Sequence, residues 1–530
     1  MVDDLRRAKL ASSPVRGTAE HASGPQRVPQ PVAVHQLTER SRALAIHQVD
    51  TDILPNPAPL AGDGHLKVTG DRATQHVYAA TGKATVSVPL ASPEDVDAVV
   101  ATARRAFEEW RKVSVVERRR LMLALARAVA DHADELAALQ TVENGTPRAV
   151  ANRLPNVAVD YLEYYAGWPD KITGDVNPVW PLQALDYSVL EPYGVIAGII
   201  PWNSPLATIG QFAAQALAAG NCIVVKPPEL TPFTTVRFAE LALLVGFPPG
   251  VVNVVPGDGV VGEALVRNRG VDKIHFVGSG RTATRIIQTA AENLTPVATE
   301  LGGKSPNLVF ADADLDAAAA LALRSCMLVS GQGCYNGTRL LVESSVYDEV
   351  IDRVRTLVGG FTLGDPMSPE TVLGPVITEG ARDRIMGMIG RAVNDGASLL
   401  AGGSRPGGDL SDGFYIEPTV FTDVDRGSEL ARDEVFGPVL SIFRFDGEED
   451  ALALANDTDF GLAAYVQTSD VKRAHRLAAG LDAGMVWVNA PGTLSPSMPF
   501  GGVKQSGTGR VGGLAGIEEF SRRKNVWLAL

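Results

Sequence analysis

From Val86 onward the apolar positions along this chain fall into regular periods; before it they do not. Residues 1–60 are polar, scattered with Pro, Arg, Gln and Ser, and show no sustained period. A stretch of that composition buries too little apolar area to fold alone and reads as a partly disordered extension. Ser92-Pro93-Glu94-Asp95 then supplies an N-cap, a proline at the first helical position and a capping-box acid. Val96, Val99, Val100, Ala103, Phe107 and Trp110 follow at helical spacing. A second helix is predicted over about 117–142, stopping at Asn144-Gly145.

The period then changes. Short apolar runs at 195–200, 222–226, 251–255, 273–277 and 296–300 alternate with helical segments starting near Ile209, Pro232, Val260 and Thr282. Alternating strands and helices predict a parallel sheet with helices on its faces. Such sheets bind ligands at the carboxyl ends of their strands, where Trp202, Lys226, Gly257, Gly278 and Glu300 fall. A second alternating region, about 306–489, predicts a second α/β unit. No internal repeat is visible.

Composition narrows the class. A chain of 530 residues, 45% hydrophobic and 21% charged, is an ordinary globular protein too long for one core. A formal charge of −13 argues against nucleic acid and anionic membrane as partners, since both demand basic patches. Cys222, Cys326 and Cys334 cannot make a disulfide framework and fit a reducing compartment. The chain has no apolar run of membrane-spanning length and its start lacks a secretory apolar core, so a cytoplasmic location is expected.

Several residues could carry chemistry. Gly257-Asp258-Gly259-Val260-Val261-Gly262 and Gly278-Ser279-Gly280 sit where strands pass into helices. Glycines there let backbone N–H groups approach phosphate oxygens, although tight turns without a ligand look the same. Lys226 and Glu229 either grip a ribose diol or are solvated loop charges; a carboxylate there would repel a 2′-phosphate. Cys334 lies among small residues in Gly331-Gln332-Gly333-Cys334, where by itself it reads either as a core thiol or as a nucleophile. Glu300 ends an apolar strand, a costly place for a carboxylate without a task. A thiolate with a carboxylate suits two-step acyl chemistry through a thioester. The eight histidines are scattered, none at zinc-ligand spacing, and no metal is expected.

Taken in order, these stretches resemble the aldehyde dehydrogenase superfamily from about Gly64 to Leu530. The resemblance rests on Glu191-Pro192-Tyr193-Gly194-Val195, Pro201-Trp202-Asn203, Lys226-Pro227-Pro228-Glu229 and Phe276-Val277-Gly278-Ser279. It continues through Glu300-Leu301-Gly302-Gly303-Lys304, Gly331-Gln332-Gly333-Cys334, Glu434-Val435-Phe436-Gly437-Pro438 and Pro499-Phe500-Gly501-Gly502-Val503-Lys504. The spacing of 34 residues from Glu300 to Cys334 belongs to it.

The resemblance implies that Cys334 attacks an aldehyde and that Asn203 and the Cys334 N–H hold the oxyanion. It implies that Glu300 activates the water that cleaves the thioester. NAD is the implied cofactor, held by Ile199, Pro201, Trp202, Lys226, Glu229, Gly257, Gly278, Ser279, Leu301, Glu434 and Phe436. The implied α/β fold has a Rossmann-like cofactor domain (61–173 and 193–301), a catalytic domain (302–509) and a small β oligomerisation element (174–192 and 510–530). A homodimer or homotetramer is the implied assembly.

The aldehyde tunnel would be lined by Ser204, Thr208, Gln211, Tyr335, Leu494 and Phe500. Ser204, Thr208, Gln211 and Leu494 are smaller or more polar than the family's usual set, and none of the six is cationic. A bulky, mostly neutral aldehyde is therefore expected over acetaldehyde or an acidic semialdehyde. The chain departs from the family's pattern at Val277 and Ala283. It also has Phe212 and Val511 where a lysine and a glutamate, linked to proton relay, are common. Two other readings are open: an acylating relative that passes the thioester to coenzyme A, which generally lacks the glutamate, and a non-enzymatic protein keeping the fold.

Overall fold

The computed structural model describes Val49 and residues 51–529, so residues 1–48 and 50 of the expected N-terminal extension lie outside the described residues. Ser92 caps helix α1 (Pro93–Trp110) through the capping box read from the sequence, with the Asp95 side chain returning to the Ser92 N–H. The one helix expected over 117–142 is two, α2 (Val115–Asp131) and α3 (Ala133–Asn144). They break at His132, whose ring lies 2.8 Å from the Ala128 carbonyl while its backbone leaves the helical region. Neither proline nor glycine marks that break, so the pattern did not show it. Gly145 ends α3 in the left-handed conformation, as Asn-Gly predicts. Short α4 (Arg148–Ala151) and α5 (Leu154–Ala166) follow.

The first sheet has eight strands. Its five parallel members run in the order Val252–Val254, Cys222–Lys226, Val195–Ile199, Lys273–Gly278, Val297–Leu301. All lie within two residues of the predicted runs. Val195–Ile199 and Cys222–Lys226 are buried at every position, because helices cover both faces of the sheet. The connecting helices are α6 (Pro205–Ala218), α7 (Phe233–Leu244), α8 (Gly259–Arg267) and α9 (Gly280–Ala290). Strand order reverses between Val195–Ile199 and Lys273–Gly278, a topological switch point where the carboxyl ends leave a crevice. Order also begins earlier than Val86: Leu60–Ala61 and Gly64–His65 form one edge of this sheet, and Ala73–Tyr78 pairs with Lys83–Pro89. The other edge comes from far along the chain, Gly507–Thr508 pairing antiparallel with Thr299 and Glu300.

A second sheet of seven strands runs from Ser398–Ala401 through Pro306–Val309 to Met485–Val488, parallel except at its first pair. A three-stranded antiparallel sheet joins Val176–Asn177, Ala184–Pro192 and the C-terminal Ser521–Ala529. Phe500, Val511, Ile517 and Phe520 pack into the first sheet's core, together with Leu462, Tyr465 and Trp487. No helix among the described residues is long and apolar enough to cross a membrane.

Candidate active site

Two loops leaving the first sheet and one from the second unit meet at its carboxyl edge. After Val195–Ile199 the chain turns through Pro201-Trp202-Asn203, and α6 begins at Pro205, suited to a first helical position. Asn144, the last residue of α3, donates its side-chain amide to both the Trp202 and Asn203 carbonyls at 3.1 Å. The sequence marked Asn144 only as a helix stop. Its second role depends on a neighbour 58 residues away, which no local pattern reveals.

The Cys334 loop is built around unusual backbone. Val329, Ser330 and Gly331 all have positive φ, at 51°, 55° and 77°, a conformation costly for a β-branched valine. A Cβ at Gly331 would lie 2.0 Å from the Gly437 carbonyl, so only glycine fits. The loop is held by Ser330, which donates to the Gly374 carbonyl at 2.9 Å, and by Gln332, whose side-chain carbonyl accepts the Ile377 N–H at 2.9 Å. Asn336 adds hydrogen bonds to the Cys326 and Leu328 carbonyls. Asn203 then joins the two loops, donating from Nδ2 to the Gln332 carbonyl at 2.7 Å. On the other side a Cβ at Gly303, just past the Glu300 strand, would lie 3.1 Å from the Cys334 carbonyl oxygen.

These contacts bring Cys334, Glu300 and Asn203 together. Cys222 and Cys326 are fully buried core thiols, whereas Cys334 is only half-buried. Burial pushes the Cys334 thiol up to about 12, and Glu434 and Glu300 push the same way; the N–H groups of Cys334 and Tyr335 pull it back. Burial likewise holds the Glu300 carboxyl well above the usual range, opposed by Arg510 and reinforced by Glu519. Glu300 Oε2 is buried without a hydrogen-bond partner. A carboxyl left bare in this way is available to a reacting proton rather than committed to structure.

Residues expected to hold the cofactor line the same edge. Lys226 is buried and donates from Nζ to the Gly257 carbonyl at 2.6 Å and the Pro227 carbonyl at 3.1 Å, which explains how an amine survives there. Burial lowers it to about 8, opposed by Glu229 and Asp258. The 257–262 turn closes on itself: Asp258 accepts the Val260 and Val261 N–H groups and pairs with Arg72. The 278–280 turn is more open, with Ser279 capping α9 through Thr282 and nothing within 4 Å of a Cβ at Gly280. Trp202 and Phe436 meet edge to face at 5.4 Å, with Phe436 held at φ 51°. Glu434 accepts the Gly303 N–H at 3.0 Å, and burial raises its carboxyl to about 7. Ile199 and Leu301 are buried beneath these groups, and Pro201 is half-buried. A buried amine beside a half-buried carboxylate, a helix N-terminus open to an anion and a flanking aromatic pair fit a dinucleotide.

Of the tunnel residues, Ser204 is the N-cap of α6, Thr208 and Gln211 follow it at helical spacing, and Tyr335 meets Phe500 with ring centroids 6.3 Å apart. Leu494 packs against the same core, in the loop whose Thr493 carbonyl accepts from the Trp487 indole at 3.1 Å. Phe212 and Val511 are buried at 1% and 2% exposure. Phe212 stacks on His275 at 5.3 Å and meets Phe520 edge-on at 5.7 Å, so aromatic rings fill the space where the family carries its lysine. Burial lowers His275 to about 4, and the same ring is left with Nδ1 unpartnered. Among the described residues no group of His, Cys, Asp and Glu is arranged to hold a metal ion.

A thiol, a bare carboxyl and an amide donor gathered at the switch point of a doubly wound sheet define an α/β site equipped for acyl chemistry. The chain belongs to the aldehyde dehydrogenase family, whose model matches residues 67–526. It is 39% identical over 455 residues to the protein DhaS of Bacillus subtilis strain 168, covering 85% of this chain and 91% of that one. Among solved structures it is similar to PnpE from Pseudomonas sp. WBC-3, with TM-score 0.87, 39% identity, and coverage of 89% and 97%. The NAD+ complex of the Bacillus cereus aldehyde dehydrogenase gives TM-score 0.88 at 36% identity, covering 92% of this chain and all (100%) of that one.

Proposed function

We propose that this chain oxidises a bulky, neutral aldehyde to its carboxylic acid with NAD as hydride acceptor. The observation that carries the reading is the Asn203–Gln332 hydrogen bond, which sets an amide donor beside Cys334 with Glu300 close enough to perturb its thiol.

Cys334 Sγ adds to the aldehyde carbon as its thiol proton passes to the Glu300 carboxylate, which releases it to solvent. The oxyanion accepts hydrogen bonds from the second Asn203 Nδ2–H and from the Cys334 backbone N–H. NAD, when bound by the residues named below, would supply the hydride acceptor for that carbon, and loss of the hydride would leave a thioester on Cys334. Glu300 then takes a proton from water as the water's oxygen attacks the acyl carbon. The C–S bond breaks, Glu300 returns the proton to the Cys334 sulfur, and the acid departs. An intact Glu300 favours this outcome over transfer of the acyl group to coenzyme A.

Lys226 and Glu229 would grip the adenosine ribose, Gly257 backing Lys226. Gly278 and Ser279 at α9 would meet the pyrophosphate, and Glu434 and Phe436 the nicotinamide end. Ile199, Pro201, Trp202 and Leu301 would form the floor. In this reading residues 61–173 and 193–301 serve the cofactor and 302–509 carry the nucleophile. Residues 174–192 and 510–530 would assemble a homodimer or homotetramer. Exposed Val176, Leu185, Trp527 and Leu528 on the three-stranded sheet support such an assembly. A cytoplasmic location accords with three unpaired thiols.

The test is to mix the protein with NAD and acetaldehyde, hexanal, a substituted benzaldehyde or succinic semialdehyde and to follow reduced cofactor. The benzaldehyde should give the highest kcat/KM. A win for acetaldehyde or the semialdehyde would sink the substrate reading, and silence with all four would sink the activity.

A further inference from the structure

Helix α6 is buried along its length except at Ala207, Thr208 and Gln211. Gln211 Nε2 donates to the hydroxyl of Tyr161 on α5 at 3.1 Å. Tyr161 therefore accepts and still carries its own proton, for which no acceptor is found among the described residues; the Gln211 side-chain carbonyl accepts nothing either. Tyr161 and Tyr335 lie close enough to influence each other electrostatically, and Tyr335 directly follows Cys334. The Tyr335 ring packs on Trp487 at 5.9 Å and Phe500 at 6.3 Å, while its hydroxyl has no partner among the described residues. Two phenolic donors and one amide acceptor thus stand unmatched among the described residues, one of the phenols on the residue that follows the nucleophile.

We infer that Tyr161, Gln211 and Tyr335 form a hydrogen-bonding subsite for a neutral oxygen substituent, a hydroxyl or alkoxy group, at the far end of an aromatic aldehyde. The inference rests on the aldehyde-oxidising reading above and narrows its substrate class. A hydroxyl can accept from the phenols and donate to the Gln211 carbonyl, whereas an alkyl group leaves all three groups unpaired. Sites built to hydrogen-bond a substituent reject the analogue that lacks it far more strongly than apolar pockets grade methylenes.

The experiment compares kcat/KM for 4-(hydroxymethyl)benzaldehyde and its near-isostere 4-ethylbenzaldehyde, with 4-carboxybenzaldehyde as a charged control. The full chain should favour the hydroxylated aldehyde by about tenfold or more, mostly through KM, and should handle the carboxylate worst. In Tyr161→Phe, Tyr335→Phe and Gln211→Leu the ratio of the first two should fall toward one. That ratio, taken within each variant, cancels any loss of folded protein. Equal efficiencies in the full chain, an unchanged ratio in Tyr161→Phe, or preference for the carboxylate overturns the subsite while leaving aldehyde oxidation standing. Failure to oxidise any aldehyde, hexanal included, overturns the underlying reading as well.

Discussion

Asn203 donates one amide hydrogen to the Gln332 carbonyl at 2.7 Å, so the side chain is oriented before any substrate arrives. In the proposed mechanism its second hydrogen serves the oxyanion, and pre-set donors of this kind need no reorganisation during reaction. Asn203→Ala should lower kcat by about 10²–10³ while leaving NAD affinity, read by fluorescence titration, nearly unchanged. Asn144→Ala removes two hydrogen bonds from the same loop, each worth about 1 kcal/mol, and should lower both kcat and the urea midpoint. Full activity in Asn203→Ala would remove the oxyanion role.

Cys334→Ala should abolish oxidation with cofactor binding retained, because only the covalent step is lost. Cys326, buried with its thiol donating to the Val439 carbonyl at 3.3 Å, should respond to Ala by losing stability rather than chemistry. A dead Cys326→Ala beside an active Cys334→Ala would reverse the assignment.

The pH dependence follows from Glu300. Its raised carboxyl stays protonated to a higher pH than a free glutamate, and only the ionised form can take a proton from water. Thioester hydrolysis should therefore slow as pH falls through that raised value and quicken above it. Rapid mixing with preformed acyl-enzyme between about pH 5 and 9 would show this limb. Glu300→Gln should flatten it and leave an acyl adduct on Cys334 visible by mass spectrometry. If no adduct forms in the variant under any condition, the base is elsewhere.

Glu229 would face the 2′ position of the adenosine ribose, so NAD should exceed NADP in kcat/KM. Glu229→Ser should narrow the gap, because the carboxylate works by repelling a phosphate. A native preference for NADP would remove the argument.

Restoring the family's usual lysine should fail here. Phe212→Lys would set an unpaired charge between His275 and Phe520, at a cost of about 3 kcal/mol or more. Thermal unfolding should show a clear drop in Tm, deeper than for Phe212→Leu. An unchanged Tm would mean the cavity accepts water or a counter-charge.

The sequence by itself determined the five parallel strands, the capping box before Pro93, the end of α3 at Gly145 and the motif order around Cys334 and Glu300. These depend on local period and turn chemistry, which act over a few residues and can be read in one pass. Tertiary structure alone decided what those motifs touch. Asn144 reaches Trp202 and Asn203, Gly507 pairs with Glu300 across 207 positions, and Gln211 meets Tyr161 on another helix. The break at His132, the aromatic filling around Phe212 and the left-handed run at Val329, Ser330 and Gly331 belong with these. Each depends on groups distant along the chain competing for the same space and the same hydrogen bonds, and only the folded packing resolves that competition.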